Sequence, residues 1–180
     1  LSIRRQRQMC IRDSYEAVLE AARKSPNLVH EFRGIYPLLA EHFDSSALPL
    51  KAIEAFEKYL KIVKAVKENP LSTYQLSSRD EYKAKVARYR IADLHFGMKD
   101  YVRALESYRR VVAEIKEEPF VTHARYRMGE CFLALDDRKS ALEAFKNVKS
   151  EDPNNLWFRA AGDFIKTVEM EVKYGIKIFN

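Results

Sequence analysis

The chain has 180 residues, of which 47% are hydrophobic, 32% charged and 12% aromatic, with 5 Gly and 6 Pro. This composition suits one globular helical domain and excludes a disordered chain, and no run approaches the roughly 18 apolar residues of a membrane-spanning helix. The net charge of +6 is unevenly placed: residues 1–14 hold +3 of it, while the remainder intersperses 28 basic with 25 acidic residues, a solvated helical surface rather than a nucleic-acid groove.

The first fourteen residues, LSIRRQRQMCIRDS, stand apart. From Arg4 to Ser14 they are similar to the translation of a transposase-based sequencing adaptor ending ATG TGT ATA AGA GAC AG, which reads Met9, Cys10, Ile11, Arg12, Asp13 and the start of the Ser14 codon. Residues 1–14 are therefore expected to be foreign, and the native N-terminus, with any export signal, is expected to be missing. The segment has no apolar h-region, so it is not a secretory signal. Setting Cys10 aside leaves Cys131 alone, with no internal disulfide and no cysteine metal site.

Apolar periodicity then predicts helices at about 15–25, 27–43, 48–67, 79–98, 101–117, 120–135, 138–150 and 156–174. Asn69 to Ser78, NPLSTYQLSS, reads as a loop, and Ser78 with Glu81 as a capping box for the helix after it. Gly175 is placed to cap the last helix.

An internal repeat organises these helices. Ala87-Arg88-Tyr89-Arg90-Ile91-Ala92 recurs as Ala124-Arg125-Tyr126-Arg127-Met128-Gly129, and Ala104-Leu105-Glu106-Ser107-Tyr108 as Ala141-Leu142-Glu143-Ala144-Phe145, both 37 residues on. A third copy upstream gives five columns: Leu39/Ile91/Met128, Ala40/Ala92/Gly129, Phe43/His95/Phe132, Ala52/Ala104/Ala141 and Phe56/Tyr108/Phe145. Small residues let paired helices approach, and large ones fill the space between pairs. The step from Phe56 to Tyr108 is 52 residues, so the loop at 69–78 carries an insertion.

The spacing Met128-Gly129, Phe132, Ala141, Phe145, Pro153 resembles the tetratricopeptide repeat. The resemblance implies an all-α fold, a right-handed α-α superhelix of antiparallel helix pairs. It implies a partial repeat at 15–26, repeats at about 27–70, 79–119 and 120–153, and a capping helix at 156–174. The chain departs from the pattern at Arg88 and Arg125, where a large aromatic is usual, and in its 37-residue period against the usual 34 or so.

The histidines (His30, His42, His95, His123) form no metal or catalytic spacing, Cys131 has no neighbouring base, and the glycines form no phosphate loop. No catalytic residue, cofactor or metal is expected. The resemblance instead implies a non-catalytic scaffold that binds a protein or peptide in a groove lined by the first helix of each pair. By register, those groove positions are Val86, Tyr89, Asp93, Phe96, His123, Tyr126, Glu130 and Leu133. Asp93 and Glu130 would repel the peptide carboxylate that chaperone-binding members clamp. The repeat style resembles that of bacterial envelope-associated members and favours a periplasmic or envelope site over the cytoplasm. Two alternatives remain: a docking region of a larger enzyme, and a peptidoglycan or nucleic-acid binder using Arg88, Arg90, Arg125 and Arg127.

Overall fold

A computed structural model describes residues 9–10, 12–18, 20, 32–69, 75–152, 154–176 and 178. The expectations for Pro26, His30, Pro153 and half of the 69–78 loop (70–74), and part of those for residues 1–31, lie outside the described residues. The described residues are mainly helical, with no strand among them. After a 3-10 turn at Phe32–Gly34 come α1 (Ile35–Ser45), α2 (Pro49–Glu68), α3 (Ser78–Gly97), α4 (Tyr101–Glu114), α5 (Phe120–Ala134), α6 (Arg138–Lys146) and α7 (Leu156–Tyr174). None of the described helices is long and apolar enough to cross a membrane. The chain divides into two compact units, Leu1–Arg90 and Ile91–Asn180, the division falling within α3.

In the first unit α1 packs on α2 through the expected columns, with Leu39, Ala40, Phe43, Ala52 and Phe56 all buried. Tyr59 is fully enclosed, and its hydroxyl donates to the Asp80 carbonyl at 3.0 Å. Burial pushes that phenol up to about 12. The cap of α3 lies one residue earlier than expected. Ser77, not Ser78, caps the helix: its Oγ accepts from the Asp80 N–H at 3.1 Å, and the Asp80 carboxylate accepts from the Ser77 N–H at 3.1 Å. The earlier register also lets Asp80 take Arg33 Nη2 at 2.8 Å, an ion pair the Ser78–Glu81 alternative would forgo. Arg90 is spent on Asp44.

The second unit holds the end of α3 and α4 to α7. Here α4 packs on α5, α5 on α6, and α7 on both α5 and α6. Ala104, Tyr108, Ala141 and Phe145 are buried as their columns require. Beneath α7 a core forms from Tyr126, Ala141, Phe145, Val148 and Ala161, joined by Trp157 and Phe164. Two helices end earlier than their apolar pattern suggests. At the end of α4 buried Ile115 turns extended, and past α6 the backbone leaves the helix so that Val148 enters the core. The Lys149 carbonyl freed by that exit accepts from the buried Thr122 hydroxyl at 2.9 Å.

The turn inside each pair repeats as faithfully as the core. Ala47, Lys99 and Asp136 hold left-handed backbone with φ of 56°, 61° and 63°, spaced by the same steps as the columns. The next N–H in each case reaches back five residues, Leu48 to Phe43, Asp100 to His95 and Asp137 to Phe132, at 2.9, 3.0 and 2.9 Å. This is the helix-ending bond pattern that glycine usually serves. Asp100 and Asp137 then cap α4 and α6 by accepting from the N–H of Arg103 and Ser140. Gly175, at φ 65°, ends α7 as its place in the sequence predicts.

Candidate functional site

In the second unit the exposed side of α5 is built by residues at helical spacing. His123, Arg127 and Glu130 recur four and then three residues apart and share one face. Arg127 is the centre of it. Its guanidinium lies 4.6 Å from the Phe96 ring centroid and 5.9 Å from that of Trp157, while Nη1 reaches Glu130 at 2.8 Å. A cation held between two aromatic faces by a carboxylate has little rotamer freedom left to lose on binding. His123 stacks on Trp157 with ring centroids 3.9 Å apart and an angle of 27°. Burial, with Arg127 beside it, lowers the His123 pKa to about 4, so the ring is neutral at ordinary pH.

Asp93 anchors the same face from α3. It accepts the Tyr108 hydroxyl at 2.6 Å, and burial and that carboxylate push the phenol far upward. Thus Asp93, Phe96, His123, Arg127, Glu130 and Trp157 belong to one half-exposed surface of mixed aromatic and charged character.

The sequence-predicted positions divide. Asp93, Phe96, His123 and Glu130 are on this surface. Tyr126 is not: at 6% exposure it is packed against Phe145, Trp157 and Phe164 at 5.7, 5.1 and 6.0 Å, filling the space under α7. Leu133 is half-buried against the same core. Val86 and Tyr89 are half-buried in the first unit. Two residues of this surface, Arg127 and Trp157, were not among the expected groove positions, although Arg127 was named for the nucleic-acid alternative. Their signals were present, in the single Trp opening the last helix and an Arg four residues after His123.

The surface has no evident covalent chemistry. Cys131 is fully buried, and burial raises its thiol to about 12, far from a reactive thiolate. Among the described residues no three His, Cys, Asp or Glu side chains stand together as a metal site would require.

Residues 86–114 and 123–155 match the family described as Tetratricopeptide repeat. The two matches cover the α3–α4 and α5–α6 pairs and run into the turn before α7. No curated protein matches the chain. Among solved structures, one titled "Crystal structure of MamA" is similar in fold, with a TM-score of 0.53 over 97% of each chain and 16% identity. The matched repeats, shared columns and paired helices identify residues 86–155 as tetratricopeptide repeats.

Proposed function

We propose that the exposed face of α5, with Phe96 and Trp157 beside it, is where this interaction scaffold takes an extended peptide or a helix of a partner protein. The observation that carries the reading is the fixed Arg127, seated between two aromatic rings and tied to Glu130. Aromatic and Arg side chains that are already ordered supply contact area at low entropic cost. Asp93 and Glu130 flank the cation and leave the surface unsuited to a peptide's terminal carboxylate. This reading gives the protein a binding role with no reaction of its own, and it favours protein over nucleic acid as the ligand. Of the four arginines on these helix faces, Arg88, Arg90, Arg125 and Arg127, Arg90 and Arg127 already have carboxylate partners.

The test is selection of peptides from a displayed random library against the 180-residue chain, followed by affinity measurement on variants. Arg127→Ala and Phe96→Ala should each weaken selected peptides by about tenfold or more, corresponding to about 1.4 kcal/mol. Arg110→Ala, on the exposed side of α4, should leave them unchanged. Selected peptides that bind Arg127→Ala and Phe96→Ala as tightly as the parent chain would refute the assignment.

A further inference from the structure

We draw no further inference here: the strongest candidate, the concavity of about 520 Å³ in the first unit where Glu16, Lys51 and Lys58 rim an apolar floor of Tyr36, Leu39 and Phe43, carries nothing because nothing in the structure shows what covers it.

Discussion

Replacing Gly129 with Ala tests the close approach on which the last matched repeat depends. A Cβ built at Gly129 would stand 2.4 Å from Phe145 Cε1 and 2.6 Å from both Cδ1 and Cζ. Ordinary carbon contacts lie at about 3.5–4.0 Å, so the ring would have to retreat by about 1 Å. It has nowhere to go. Phe145 is 1% exposed, stacked on Phe164 at 5.1 Å and tilted against Tyr126 at 5.7 Å. Overpacking of this kind costs about 1–3 kcal/mol, and the better helix propensity of Ala returns about 1. The net loss is up to about 2 kcal/mol, which lowers Tm by up to roughly 8 °C for a chain of this size. Circular-dichroism melts and urea titration measure it directly. Gly162→Ala is the internal control, because its Cβ meets nothing and should raise stability by about 1 kcal/mol. Combining Gly129→Ala with Phe145→Leu should cost less than the two single changes together, since the smaller side chain makes room. A Gly129→Ala chain as stable as Gly162→Ala would refute the packing argument.

Three further outcomes follow from other parts of the fold. Ala47→Gly should raise the urea midpoint by the equivalent of about 1 kcal/mol, because Ala47 sits at φ 56°, where a Cβ is penalised; a loss of stability would count against the turn geometry. Glu171, 3% exposed, takes Arg138 Nε at 2.7 Å and the Ile178 N–H. Glu171→Ala should cost about 3 kcal/mol in urea unfolding, toward the low end for a broken buried pair because Asp136 stays 3.0 Å from Arg138. His123, held near 4 against about 6.5 when unfolded, binds its proton more readily in the unfolded chain. Its contribution to stability is complete above pH about 6.5 and is lost as pH falls toward 4. His123→Gln should therefore flatten the pH dependence of the urea midpoint in that window, and an NMR midpoint for the ring near 6.5 in the folded protein would contradict it.

The core was legible because repetition supplies an internal alignment. Ala52, Ala104 and Ala141 are each 0% exposed, and so are Ala40 and Ala92 in the other small column. Matching residues at a fixed offset occupy matching places, which is a stronger constraint than the periodicity of any one helix. Gly175 was readable for a similar reason, since one conformation explains it. The turns at Ala47, Lys99 and Asp136 were not, because a left-handed residue that is not glycine leaves no compositional mark. Only the shared spacing connects them. Ser77 was passed over in favour of Ser78 because both serines satisfy a local capping pattern. The choice between them is made by Arg33, forty-seven residues from Asp80, through the ion pair Asp80 forms.

The surface was harder to read than the core, and Tyr126 shows why. Repeat register treats Tyr89 and Tyr126 as equivalent, but burial depends on what lies over each one. Trp157 and Phe164 of α7 cover Tyr126, although α7 falls outside the matched repeats. The same covering sets Trp157 against Arg127 and stacks it on His123, so the residue that closes the core also completes the exposed face. Period and column cannot report such a contact, because it joins a repeated helix to one that is not repeated. A terminal helix can therefore decide which side of its neighbour is available to a partner. On that argument the character of the α5 face depends on α7 as much as on the α5 sequence. Substitutions along Trp157 and Phe164 should then alter the α5 face through its position, even where they touch no ligand.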